Sequence, residues 1–393
     1  MTKKFRVLSM VLVVVLVIGL FAACRNEPAA GSAGDETIIV GVLAPLTGPV
    51  AQFGTAVEAG VQLYTDQFNA RGGVQIQLEW FDEEGSAALG VAGYHDLVDR
   101  NATAIIGAVT SGVTMAVVPL AFEDNMPMIS ATSTHLNVTV DADTGAVFTN
   151  MFRSCFIDPF QGYVMANFAA QEVGAQRVAI LYNNEVDYSI GLKDAFELQA
   201  QALGLEIVAI ERFQDTTIDF TPQLANIAGQ NPDALFIPAY YQDVALIGPQ
   251  SAGVGLDTVL LGADGWATIL DFMDDTSSVE GAYFLTGFTP DIDEPILQRF
   301  VSEFYDATGM QPNMFAAQAY DAAMILFAAI ERAVEAGYTA NTPEFKAAVI
   351  ANMAATDLTG VTGHITFDQY NNPQKTAIIL HIEGGRETFW GYF

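Results

Sequence analysis

The chain has 393 residues, a formal net charge of −31 and 51% hydrophobic residues. Such acidity excludes nucleic acid as a partner, because phosphates need basic groups to neutralise them. It also argues against docking to anionic lipid surfaces.

Read from the N-terminus, Lys3, Lys4 and Arg6 precede an apolar run from Val7 to Phe21, and Ala22-Ala23-Cys24 follows. A basic start, a short apolar region and small residues at the cut form the pattern of a secretory signal peptide. The small-small-Cys ending resembles a bacterial lipobox, with Cys24 as the lipidated first residue. Phe21 stands where Leu is usual, three places before the Cys. Residues 1–23 are expected to be removed. Residues 24–36, "CRNEPAAGSAGDE", then read as a flexible lipid-anchored linker. Cys155 is the only other cysteine, so the fold must rely on its core.

From residue 37 strand-like and helix-like segments alternate. "TIIVGVLAPLTG" reads as a buried strand ending in a Pro/Gly loop. "AQFGTAVEAGVQLYTDQFNARGG" has helical apolar spacing and stops at Gly72-Gly73. A strand, "VQIQLEWF", a helix, "AALGVAGYHDLVDR", and a buried strand, "ATAIIGAV", follow. The alternation resumes with "RVAILYNN", "IGLKDAFELQAQALG", "LEIVAIERF", "FTPQLANIAGQ" and "DALFIPAYY". This order predicts parallel sheets covered by helices, in two α/β lobes begun by about 37–150 and 177–263. "AQAYDAAMILFAAIERAVEAG" is a further amphipathic helix. "GHITFDQYNNPQKTAIILHIEGG" gives a strand, a turn at Asn371-Asn372-Pro373 and a second strand.

No enzyme machinery is visible. His95, His364 and His381 lie on helix or strand patterns that suit exposed or structural roles. No G-x-S-x-G, zinc spacing or P-loop occurs, and "GVGL" at 253–256 lacks the rest of a dinucleotide fingerprint. The loops after the strands say more, because ligands in open α/β sheets sit beyond the carboxyl ends of the strands. Ser111-Gly112 follows "AIIGAV" and opens a helix, where Ser can cap and free N–H groups can hold a carboxylate. Thr132-Ser133-Thr134 follows "MPMIS". Tyr188, Tyr240-Tyr241 and Asp264 follow later strands. Hydroxyls for an anion, an acid for a cation and rings for an apolar body describe a bound α-amino acid. Taken alone, the loops are also compatible with capping and turn roles, and Tyr240 or Tyr241 with packing at the lobe interface.

The stretches "IIVGVLAPLTGPVAQFGTAVEAGVQLYTDQFNARGGV", "IIGAVTSGVTMAVVPLAFEDNMPMISATST" and "RVAILYNNEVDYSIGLKDAF" resemble the leucine/isoleucine/valine-type solute-binding proteins of ABC transporters, over about residues 37–385. The resemblance implies the type I periplasmic binding protein fold: two Rossmann-like lobes with parallel-sheet cores, a three-strand hinge and a ligand cleft between the lobes. The implied crossings lie near 153–158, 281–287 and 362–367. Lobe 1 would then comprise 37–154 and 285–362, and lobe 2 155–284 and 363–393. The resemblance places the ligand carboxylate on Ser111, Gly112, Thr132 and Thr134. It places the ammonium on Asp264 and the Thr132 carbonyl, and the covering rings at Tyr188, Tyr240 and Phe53. The first-lobe disulfide of well-known members would fall near Gly85 and Thr110, so it is absent.

The expected function is that of an extracytoplasmic, monomeric lipoprotein without catalysis, metal or cofactor. It would capture a branched-chain or related amino acid by hinge closure and deliver it to an ABC permease. It would sit on the outer side of the cytoplasmic membrane or in the periplasm. The alternatives are a sensor of the same fold, a cleft enzyme, or a binder of an amide, urea-type or aromatic-acid solute. If Cys24 carries the lipid, Cys24→Ser is expected to abolish incorporation of a fatty-acid analogue, read by metabolic labelling.

Overall fold

The structure is a computed structural model that describes residues 37–393; Cys24 and the linker lie outside the described residues. The first sheet has five parallel strands in the order β2-β1-β3-β4-β5. These are β1 (Thr37–Ala44), β2 (Gln75–Asp82), β3 (Ala104–Ile106), β4 (Met128–Ser130) and β5 (Met151–Arg153). Interior strand β1 is apolar along nearly its whole length and buried from Val40 on, as a strand covered on both faces must be. Helices α1 (Ala51–Asn69), α2 (Ala87–Asp99) and α3 (Ser111–Glu123) connect these strands.

The chain then enters a second sheet through α4 (Asp158–Gln171). Its parallel strands are β6 (Arg177–Asn183), β7 (Glu206–Phe213), β8 (Ala234–Phe236), β9 (Val259–Gly262) and β10 (Tyr283–Thr286). Antiparallel β13 (Ile378–Glu383) and β14 (Arg386–Tyr392) extend it, giving the order β14-β13-β10-β9-β8-β6-β7. Helices α5 (Asp187–Leu203), α6 (Thr221–Ala228) and α7 (Tyr241–Gly253) link its strands.

After β10 the chain returns as α8 (Pro295–Thr308), α9 (Met314–Glu335) and α10 (Pro343–Ala354). Helix α9 is 22 residues long and apolar enough to cross a membrane by composition, but its most apolar window is 78% buried inside the fold. It is the core helix of the first lobe. It lies backbone-close to α1, where a Cβ on Gly60 would stand 2.2 Å from the Ala316 carbonyl oxygen. Only glycine permits that approach.

The lone described cysteine, Cys155, is free and buried, and burial pushes its thiol pKa up to about 12. The small sheet of β11 (Asp357–Gly360) and β12 (Gly363–Thr366) does not join either large sheet. Residues beyond it still pack on the first lobe: the Thr139 hydroxyl donates to Asn372 Oδ1 at 3.3 Å, and Asn371 Nδ2 donates to the Met151 carbonyl at 3.0 Å. The last crossing therefore falls after Asn372 and before β13, later than 362–367. Strand β10 also holds residues 285 and 286 in the second sheet, through Leu285 with Ile379 and Thr286 with Ile378.

One buried acid on α9 organises this region. Asp321 accepts from the Val361 N–H at 2.8 Å, the Thr362 N–H at 2.9 Å and the Thr362 hydroxyl, which in turn accepts from Lys375 Nζ. An orphaned buried N–H costs about 1–3 kcal/mol. Asp321→Ala is therefore expected to lower the unfolding free energy by about 2–4 kcal/mol, measured by urea denaturation.

Candidate functional site

The strand ends of the two sheets face each other across a small cavity. The first lobe contributes Phe53, Val109, Thr110, Ser111, Thr132 and Phe315; the second contributes Tyr188, Tyr240, Asp264 and Gly265. Six of these residues were expected from the sequence: Phe53, Ser111, Thr132, Tyr188, Tyr240 and Asp264. Gly112 and Thr134 do not line the cavity. Gly112 is one step further into α3, and the buried Thr134 side chain lies toward Asp158.

The hydroxyl clusters first bind each other. Thr132 Oγ1 donates to the Val109 carbonyl at 2.6 Å, and the Ser133 and Thr114 hydroxyls share a hydrogen bond of 2.5 Å. Ser130 Oγ donates to the Ala108 carbonyl at 2.7 Å and accepts from the Ser133 N–H at 3.0 Å. These bonds sew the loop after β3 to the loop after β4. Ser111 does not cap its helix: Thr110 occupies the N-cap position, and neither hydroxyl satisfies a helix N–H. Instead Ser111 Oγ accepts from the His135 N–H at 3.2 Å. Buried Arg153 fixes the far side of the loop by donating to the Ser133 carbonyl at 2.8 Å and the His135 carbonyl at 2.9 Å.

On the opposite wall, Tyr188 stands in the first turn of α5 rather than in a loop. Its hydroxyl donates to Asp264 Oδ1 at 2.7 Å and accepts from the Gly265 N–H at 2.8 Å. Its ring stacks on Tyr240, with centroids 4.8 Å apart. Tyr240 meets Phe53 edge-on at 5.5 Å, and Phe53 stacks on Phe315 at 4.2 Å. Tyr241 donates from its hydroxyl to the Pro49 carbonyl at 3.0 Å, a direct bond between the lobes. With the walls in contact the cavity is only about 10 Å³. By the same measure a single water needs roughly 10–15 Å³, so nothing larger than a water fits between the walls as they stand. Admitting a solute requires the lobes to part.

Asp264 opens a 3₁₀ turn after β9, and its N–H donates to Gln161 Oε1 at 3.1 Å. Burial raises its pKa to about 6, opposed by the hydrogen bonds from Tyr188 and Gln161. Gln161, Thr110, Gly265 and Phe315 were not read as site residues from the sequence. Gln161 reaches Asp264 across 103 residues of chain, a distance no local pattern spans. Tyr188 and Tyr240 have hydroxyl pKa values well above normal, chiefly through burial. Among the described residues no group of three or more His, Cys, Asp or Glu side chains could hold a metal ion.

Two α/β lobes closing strand-end loops over a shared cavity define a hinged solute-binding protein. A family profile described as periplasmic binding protein matches residues 37–386, and the chain belongs to that family. It is 28% identical over 299 residues to the Leu/Ile/Val-binding protein BraC3 of Rhizobium johnstonii, covering 75% of this chain and 79% of that protein. It is 25% identical to the leucine-, isoleucine-, valine-, threonine- and alanine-binding protein of Pseudomonas aeruginosa, covering 89% of this chain and 91% of that one. The leucine-binding protein LivK of Thermotoga maritima superposes with a TM-score of 0.81 at 29% identity, over 91% of this chain and 98% of the other. LivJ of Streptococcus pneumoniae, solved with isoleucine, gives a TM-score of 0.80 at 28% identity, over 91% and 99% of the two chains.

The raised Asp264 pKa fixes a sign. The fold holds this proton more tightly than the unfolded chain does. Its contribution to stability is therefore present below the ordinary carboxylate pKa and is lost as pH rises through about 6. A cationic ligand reverses the preference, since it favours the carboxylate. Affinity for an ammonium-bearing solute is expected to fall by up to about tenfold per pH unit below the Asp264 pKa, measured by calorimetry from pH 4.5 to 8.

Proposed function

We propose that this protein is an exported, lipid-anchored solute-binding protein that captures a branched-chain or related amino acid by hinge closure and hands it to an ABC permease. The observation that carries the reading is Asp264, a buried carboxyl bonded by the Tyr188 hydroxyl, on a turn whose backbone N–H donates to Gln161, across the cavity from Ser111 and Thr132. An acid facing hydroxyls and helix N–H groups over an apolar wall matches the two charges and the side chain of an α-amino acid. The names of the relatives agree with that chemistry.

In this reading the carboxylate sits on Ser111 and Thr132, at the positive end of α3 with the Gly112 N–H. Thr134 joins once the lobes part and its hydroxyl turns from Asp158. Asp264 and the Thr132 carbonyl take the ammonium, and Tyr188, Tyr240 and Phe53 enclose the side chain. Lobe 1 would be 37–154 with 287–372, and lobe 2 the remainder, with Cys24 as the anchor of a monomer on the outer face of the cytoplasmic membrane.

A second reading has one observation in its favour: the cavity wall is strongly aromatic. Solute-binding proteins of Rhodopseudomonas palustris solved with benzoate or 4-hydroxybenzoate share the fold at 23% and 21% identity. An aromatic acid lacks the cation that Asp264 would meet, which favours the amino acid.

Calorimetry with leucine and benzoate separates the two. Asp264→Ala is expected to weaken leucine at least tenfold, from the roughly 1.5–3 kcal/mol of a charge-assisted hydrogen bond, with the melting temperature unchanged or raised. Ser111→Ala is expected to weaken leucine by about 1–3 kcal/mol. Unchanged leucine affinity in both variants, or tight benzoate binding with none of leucine, would reject the amino-acid reading.

A further inference from the structure

Behind the cleft lies a second cavity, of about 370 Å³. That volume is within the range of roughly 300–1,000 Å³ typical of small-molecule sites. Helices α4 and α5 form one side, and residues 135–137 of the loop between β4 and β5 form the other. It is not part of the site described above.

Its rim is apolar and open to water. Leu198 is 72% exposed, Tyr163 52% and Leu136 43%. Three large apolar side chains gathered at one concave surface offer a solute apolar contact that singly scattered ones do not. The floor is the opposite in character. Asp158 is 1% exposed, and its Oδ2 accepts no hydrogen bond. Burial pushes the Asp158 pKa well above normal, opposed by the nearby Thr134 hydroxyl, and Thr134 Oγ1 also has no hydrogen bond of normal geometry. A buried acceptor without a donor is costly.

Asp158 Oδ2 is closed from water, and the one thin place in the cover over it is Gly191, where any side chain would crowd the acid. A Cβ there would stand 3.1 Å from Asp158 Oδ2 and 3.2 Å from His135 Nε2. His135 Nδ1 accepts from the Asn137 N–H at 3.1 Å, which leaves an uncharged ring beside Gly191 when Nε2 alone carries hydrogen. Asp194 also lines the cavity, paired with Lys193 at 2.8 Å. Arg153, the nearby cation, is committed to the Ser133 and His135 carbonyls and the Thr139 hydroxyl. The unmet group at the floor is therefore an acid, in a chain of net charge −31. The complement is a cation with hydrogens to donate and an apolar body to cover the rim.

We propose that this groove is a second small-molecule site, taking a primary alkylammonium whose head reaches Asp158 and whose chain lies along Leu136, Tyr163 and Leu198. The site shares a wall with the cleft. Gln161 Nε2 donates to Asp158 Oδ1 at 3.4 Å while Gln161 Oε1 holds the Asp264 N–H. The ligand would also touch both lobes, since residues 135–137 belong to the first and α5 to the second.

The test is calorimetric titration of the full protein with n-hexylamine, n-hexanol and hexanoate, and does not depend on which solute the cleft takes. Hexylamine is expected to bind at least fivefold more tightly than the alcohol or the acid. Leu198→Lys, an exposed change that adds a positive charge at the rim, is expected to weaken hexylamine at least fivefold with thermal unfolding unchanged. Asp264→Asn removes the acid of the cleft and is expected to keep hexylamine binding within twofold. No hexylamine binding, equal binding of hexanol, or no effect of Leu198→Lys overturns the proposal. Loss of binding in Asp264→Asn also overturns it, by placing the amine in the cleft.

Discussion

The site depends on a carboxyl group closed away from water and held by neutral partners. Burying a charge unpaired is so unfavourable that the group shifts its pKa instead, and Asp264 does so. Everything around it follows from that constraint. Tyr188 must present its hydroxyl to the acid while the Gly265 N–H holds that same oxygen from behind. Gln161 must come from α4 to fix the backbone of the turn. The same dryness that makes the acid costly strengthens its attraction for a cation, because little water screens the pair.

Phe53 is the mechanical counterpart of that acid. It stacks on Phe315 of its own lobe and receives the edges of Tyr240 and Tyr241 from the other. These rings fill the cleft themselves when the lobes meet. A solute that enters exchanges ring-to-ring contact for ring-to-solute contact, so apolar contact area in closure is partly conserved. Selectivity then rests on the polar ends, where an unmatched group leaves a buried partner unsatisfied.

The sequence made the alternating architecture legible because β1, β6 and β8 are built on short apolar runs and α1 and α9 carry strong helical spacing. Strand ends located Asp264, Tyr240 and Ser111 for the same reason: once a buried strand is found, its carboxyl end follows. Helix α4 was missed because Gln161, Gly162, Val164, Met165, Ala166 and Asn167 are all buried, so no polar face gives it a period. Strands β3 and β4 are only three residues long, which hid how early their loops begin. The partners of Thr132 and Thr134 were not legible at all. Whether a hydroxyl faces a cavity or a neighbouring loop is decided by tertiary contacts, and Thr132 does both. The late crossing was hidden because Asn371 and Asn372, read as a turn, also clamp the first lobe.

Helix α9 touches two of the places where the chain passes between lobes, and reaches the third through the Thr362 hydroxyl, which bonds Asp321 and accepts from Lys375 Nζ. The Gln318 carbonyl accepts from the Ser154 hydroxyl at 2.8 Å, Met314 Sδ accepts from the Gly287 N–H at 3.0 Å, and Asp321 gathers Val361 and Thr362. Three strands fixed to one rod leave little freedom to slide or shear. In the hinge closure proposed above, the motion left would be rotation about an axle set in the first lobe. Such a machine has one coordinate, an angle, and a distant surface can read the state of the cleft from that angle alone. Changes along the axle, far from any solute, would then alter the resting angle without touching a single group that binds.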